Sequence, residues 1–162
     1  MALSPSVEVV QLERSCTGRT TFCAAQSSDQ TLIAELAPQQ PWELFCHRHQ
    51  TDQLILLRGS LDLVVLHNGR FERITLREDD PVMVRIPPGV PHGAINQGRY
   101  SATLVNAVLR HGPAAAGDYR PRPIPAGLLG QWQKLLNVPD STAHLGLEQS
   151  GETPGRSVPG NG

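Results

Sequence analysis

Apolar residues along this chain come in short runs rather than long amphipathic stripes. Val7–Leu12, Arg19–Cys23, Thr31–Leu36, Glu43–His49, Leu54–Leu57, Leu61–Leu66, Phe71–Leu76, Val82–Ile86 and Ala102–Leu109 each read as a β-strand, and Gly, Pro, Asn and Asp separate most of them. Asn68-Gly69 falls between two runs and predicts a tight hairpin, because a primed turn needs positive φ at its centre. Leu54–Leu57 and Leu61–Leu66 show little polar alternation, the pattern of strands covered on both faces. One sheet is therefore expected to pack on a second subunit. Many short strands without intervening helices predict an all-β sandwich or barrel.

The pattern changes toward the C-terminus. Arg120–Pro125 holds three prolines in six residues and predicts extended, connecting chain outside any sheet. Leu128, Leu129, Trp132, Leu135 and Leu136 then fall on one face at helical spacing, with Gln131, Gln133 and Lys134 elsewhere. This predicts a short amphipathic helix packed on the β domain or on a second subunit. From Pro139 the chain is rich in Gly, Ser, Pro and Glu and poor in large apolar groups, the composition of a tail. The expected organisation is a β domain over 1–125, a helix over 126–138 and a tail over 139–162.

Composition narrows the function classes. The 162 residues suit one domain, and 14 Pro with 15 Gly suit a turn-rich β protein. The formal net charge is −1, and Arg48, Arg58, Arg85 and Arg110 are scattered, which gives no basis for a nucleic-acid or anionic-membrane partner. No apolar run approaches the roughly 18 residues of a membrane span. Met1–Gln11 has no basic start followed by an apolar stretch, so no secretory signal is expected. Cys16, Cys23 and Cys46 are odd in number and lack CxxC spacing, which predicts reduced thiols and a cytoplasmic protein.

Candidate chemistry sits in two places. In Phe45-Cys46-His47-Arg48-His49 an extended backbone would put His47 and His49 on one face, roughly 6.6 Å apart, with Arg48 facing away. Two such imidazoles need a shared metal ion or hydrogen bonds if they are buried. In Ile86-Pro87-Pro88-Gly89-Val90-Pro91-His92 two prolines and a glycine make a rigid corner, after which His92 begins an extended segment with Asn96 four residues on. The expectation is that His47, His49 and His92 converge on one interior pocket. His67, His111 and His144 are expected to be bystanders. Trp42 is expected in the barrel core or at its mouth.

With these residues in this order, the sequence resembles the cupin superfamily. The first cupin motif reads His-x-His, three or four residues, Glu, six residues, Gly. His47, His49 and Gly59 match it. Gln53 stands where the Glu is expected by counting forward from His49, and Asp52 stands there by counting back from Gly59. The mismatch implies a one-residue deletion or a bulge between them. Gln53 is the favoured position, because Ile55 and Leu57 would then also face inward and Arg58 outward; Asp52 is the alternative. The second motif is matched by Pro87, Gly89, His92 and Asn96, with Pro81 in place of its leading Gly.

The resemblance covers about residues 30–110. It implies a double-stranded β-helix, the cupin jelly-roll barrel, commonly a homodimer, with a divalent metal in the mouth. The implied ligands are His47, His49, Gln53 and His92, a donor set that suits Zn, Fe, Ni, Mn or Co without choosing among them.

A closer resemblance, carried by His47–Asp52, Gly59-Ser60, Ile86–Gly93 and Asp118-Tyr119-Arg120, is to the small cupins related to dTDP-4-dehydrorhamnose 3,5-epimerases and dTDP-sugar ketoisomerases. Those families work without metal. The resemblance implies that His47 or His49 is a base abstracting a proton next to a ketone and that Tyr119 is the acid.

Three readings follow. The first is a metal-dependent cupin enzyme, isomerase, epimerase or dioxygenase-like, acting on a small oxygen-rich sugar or keto acid. The second is a metal-independent dTDP-4-keto-sugar epimerase or isomerase. The third is a non-catalytic small-molecule-binding barrel.

Overall fold

The computed structural model describes residues 6–24, 26–39, 43–113 and 116–137. The expected tail over 139–162, with His144, and Trp42 lie outside them. Twelve strands run in order: β1 Glu8–Gln11, β2 Arg14–Thr17, β3 Thr20–Cys23, β4 Gln30–Leu36, β5 Leu44–His47, β6 Gln50–Arg58, β7 Ser60–His67, β8 Arg70–Arg77, β9 Val82–Ile86, β10 His92–Ile95, β11 Ala102–Arg110 and β12 Tyr119–Arg122. A 3-10 turn, Ala126–Leu128, leads into helix α1, Leu129–Leu136. Among the described residues no helix is long and apolar enough to cross a membrane.

The strands form two five-stranded sheets, β1-β9-β6-β11-β4 and β12-β5-β10-β7-β8, with β2-β3 as a separate hairpin. All pairings are antiparallel. Period-two alternation turns one face of each sheet inward. Leu54, Leu56, Val84, Ile86, Ala102 and Leu104 of the first sheet meet Leu61, Leu63, Val65 and Leu76 of the second in one core. The Asn68-Gly69 hairpin forms as its sequence demands, with φ of 50° and 73° between the paired residues His67 and Arg70.

Three expectations are corrected. The sheets do not close into a barrel: β4, β1, β12 and β8 remain edges. Arg120–Pro125 is not all connecting chain, because Tyr119–Arg122 pairs with β5 through Tyr119↔His47, Arg120↔Cys46, Pro121↔Phe45 and Arg122↔Leu44. Pro121 is tolerated there because β12 is an edge strand. The strand expected over Glu43–His49 ends at His47. Asp118 stops it, since its Oδ1 accepts from the backbone N–H of Arg48 at 3.0 Å and of His49 at 2.8 Å. The helix forms where the spacing placed it. Trp132 meets Phe71 at 5.3 Å between ring centroids, and Arg73 donates to the Leu135 carbonyl at 2.9 Å, so α1 packs on the β7–β8 hairpin.

Candidate active site

A cleft of about 680 Å³ opens along the seam where closure would have joined the sheets. Leu32, Ala34 and Leu36 of β4, Asp52 and Leu54 of β6, and Leu104 and Asn106 of β11 line it on one side. Phe45 and His47 of β5, His92 of β10 and Tyr119 of β12 line it on the other. A volume in the range of a single small-molecule site, mostly apolar with a few converging polar groups, is the usual form of a ligand site.

Its polar centre is a carboxylate between two imidazoles. Asp52 is almost fully buried. Its Oδ1 accepts from Gln50 Nε2 and Asn106 Nδ2, each at 2.7 Å. Its Oδ2 lies 3.3 Å from His92 Nε2 and 3.8 Å from His47 Nε2. His92 Nδ1 stands 2.9 Å from the Val90 carbonyl oxygen, which can only accept, so this nitrogen carries a proton. Nε2 faces the Asp52 carboxylate on the opposite side of the ring. Burial pushes the Asp52 carboxyl up, but contacts from His92, Asn106 and Gln50 and the charge of His92 outweigh it and hold it below 3.8.

The corner Pro87–Gly89 explains how His92 is aimed. Gly89 adopts φ of 81° and its N–H donates to the His47 carbonyl at 2.7 Å, tying the corner to β5. His92 then pairs with Phe45, two residues from His47 on the same face, and the two imidazole centroids lie 6.3 Å apart. Asn96, the last residue of the second motif, has a structural part: it donates to the Leu36 and Tyr100 carbonyls and accepts from Gly98 N.

Two neighbours complete the surroundings of His47. Asp118 Oδ2 lies 3.4 Å from His47 Nδ1, a buried nitrogen that makes no hydrogen bond. Partial burial pushes the Asp118 carboxyl up, but the backbone donors of His49 and Arg48 and the charge of His47 hold it below its ordinary value. Tyr119 pairs across the strands with His47, at 6.0 Å between centroids, and stacks on Phe45 at 4.9 Å. Its ring is half exposed at the mouth of the cleft.

Of the expected site residues, the structure brings His47, His92 and Tyr119 together and leaves two outside. His49 is exposed beyond the end of β5 and does not line the cleft. Gln53 is buried but turned to the other face, where Nε2 donates to the Ser27 and Ala107 carbonyls at 2.9 and 2.8 Å. The inward residue is Asp52, in phase with Leu54 and Leu56. The register of β6 on β11 explains the miscount. Thr103 pairs with Arg58 but Leu104 pairs with Leu56, so Leu57 is an extra, bulged residue.

Asn106, Gln50 and Asp118 were not singled out for the site. Asp118 and Gln50 lie in segments that carry the closer resemblance, but nothing in the sequence marks Asn106. Of the bystanders, His111 is exposed and holds Thr51 Oγ1 at 2.7 Å, and His67 lies beside the hairpin turn.

The expected four-ligand metal site is not assembled, since only two of its members reach the cleft. Asp52 stands between those two imidazoles, 3.3 Å from His92 Nε2 and 3.8 Å from His47 Nε2. Among the described residues no group of three or more His, Cys, Asp or Glu side chains is arranged to hold a metal ion.

No family model and no curated protein matches the sequence. Solved structures do match in shape. The TDP-quinovose 3,4-ketoisomerase WlaRB from Campylobacter jejuni superposes with a TM-score of 0.62 at 18% identity, over 72% of this chain and 92% of that one. A mutant of the 3,4-ketoisomerase QdtA from Thermoanaerobacterium thermosaccharolyticum, in complex with TDP-4-keto-6-deoxyglucose, gives 0.60 at 14% identity, over 72% and 88%. This chain has the cupin fold. The dTDP-4-dehydrorhamnose 3,5-epimerase from Sulfolobus tokodaii belongs to the same set of likenesses, with a TM-score of 0.57 at 14% identity over 70% and 76%. The cupin jelly roll expected from the motifs is thus present in its open, two-sheet form.

Proposed function

We propose that this cupin-fold chain is a metal-independent isomerase or epimerase of a keto sugar, moving a proton on carbon next to a ketone. The observation that carries the reading is the Asp118–His47–Asp52–His92 row at the floor of the cleft, with Tyr119 beside it. The likeness to ketoisomerases and an epimerase supports it.

His47 is the base. Its ring lies between the two carboxylates, which stabilise the imidazolium formed when it takes a proton. Asp118 faces Nδ1 and favours the tautomer that leaves Nε2 free to accept. The removed proton leaves an enolate, whose oxygen receives a proton from a neighbouring donor. Tyr119 at the mouth and His92 on the floor are the neighbouring groups placed to give one. A second donor delivering a proton to the same carbon from its other face inverts that centre, and the first proton leaves His47 to solvent. Delivering it to the neighbouring carbon of the enediol moves the ketone. The apolar walls keep water from competing for the enolate.

The test is solvent-deuterium incorporation, followed by NMR, into 4-keto-6-deoxyglucose offered free and as its TDP conjugate. Exchange in at least one is expected, falling about 10²–10⁴-fold in His47→Ala. Exchange in neither, or exchange that His47→Ala leaves unchanged, overturns the reading.

A further inference from the structure

Alternation along the strands sets the charge of the cleft. Tyr119 and Pro121 share the inner face with His47 and Phe45, which sends Arg120 and Arg122 of β12 to the outer face. Arg122 ends on Cys46 Sγ, 3.1 Å away. Arg85 lies outside Val84 and Ile86 and pairs with Glu8 at 2.9 Å. Arg73 pairs with Asp62 and caps the helix.

As a result, no Lys or Arg among the described residues lines the cleft. The ionisable groups that do line it are Glu35, Glu43, Asp52 and Tyr119, with His47 and His92. Asp118 adds a further carboxylate behind His47. The remaining wall is apolar, chiefly Leu32, Leu54, Leu104 and Phe45.

We propose that the ligand of this cleft is an uncharged, phosphate-free carbonyl compound with one apolar face, such as a free deoxy keto sugar, rather than a nucleotide conjugate. The inference rests on the proton-transfer reading for its chemistry and adds the substrate class. A diphosphate brings negative charge next to Glu43 and Asp52 with no Lys or Arg in the described lining to offset it, and like charges held close repel. A neutral sugar meets no such barrier. Its hydroxyls find an acceptor in Glu43, and its deoxy face lies against leucines.

The test separates binding from turnover in the full chain. TDP alone, free 4-keto-6-deoxyglucose and its TDP conjugate are titrated by saturation-transfer NMR. Binding of the free ketone, with no TDP binding up to about 1 mM, is expected. Glu43→Lys and the milder Glu43→Gln are expected to strengthen binding of the TDP conjugate relative to the free ketone, by about tenfold in the lysine variant. TDP binding below about 1 mM to the wild type, tighter binding of the conjugate than of the free ketone, or no binding by any of the three overturns the inference. The deuterium assay decides the proton-transfer reading independently. Exchange confined to the conjugate leaves that reading standing while this one falls.

Discussion

The two ends of the sandwich are built from the same strands and behave as different materials. Along β6 the inward residues run Asp52, Leu54, Leu56, and along β11 they run Asn106, Leu104, Ala102. On the second sheet, His92 and His47 lie at one end, with Leu61 and Leu76 at the other. The apolar end is held by contact area, which each side chain contributes separately. The polar end is held by reciprocity: Asp52 satisfies Gln50, Asn106 and His92 at once, so removing one member leaves others buried without a partner. A site of this kind can be almost as buried as a core and still remain chemically responsive.

The contrast can be broken from either side. Leu61→Ala at the apolar end should lower unfolding free energy by about 2–5 kcal/mol in urea titration, because Leu61 is fully buried in the shared core. A loss well under that range would mean the end is loosely filled.

At the polar end, Asn106→Ala should destabilise by about 1–3 kcal/mol, since Asp52 loses a donor and the Gln53 backbone N–H loses its acceptor. Deuterium exchange should drop with it. A stability loss with activity intact would make Asn106 purely structural.

Acid should act on the polar end first. The Asp52 carboxyl titrates below 3.8 in the folded chain, so its contribution is complete above that value and is lost as pH falls through the lowered one. The stability gap between wild type and Asp52→Asn should therefore narrow as the pH is taken below 3.8. A gap that widens on acidification would contradict the assignment of Asp52 as the charged partner.

The smallest effect belongs to neither end. Ile33 on the outer face of β4 is 71% exposed, and Ile33→Ser should change stability by no more than about 0.5 kcal/mol.

Most of the fold was legible in the sequence because turn chemistry is local. Asn68-Gly69 and Pro87–Gly89 mark their corners without help from the rest of the chain. The elements that escaped depend on partners distant in sequence. β12 exists because β5 offers it an edge, which a proline count cannot reveal. β2, Arg14–Thr17, is a short, wholly exposed strand paired only with β3, with no apolar alternation to announce it.

The site divides in the same way. His92 follows from its rigid corner. His49 was placed wrongly because a carboxylate about 70 residues away captures its backbone. Gln53 was preferred to Asp52 because it would turn Arg58 outward, but the bulge at Leu57 turns Arg58 outward while Asp52, Leu54 and Leu56 face in. The count back from Gly59 held the correct answer, but only the strand register selects it.

The last strand carries a consequence for the order of events in synthesis. Every residue of the central hydrophobic cluster precedes position 105, whereas Asp118 immediately precedes β12 and Tyr119 opens it. A nascent chain can thus collapse around its greasy interior while the reactive imidazole still lacks its carboxylate neighbour and its phenol. Only when the final edge docks is the row of imidazoles and carboxylates complete. Unfinished or clipped polypeptides would therefore share the shape of the full chain yet lack the completed row.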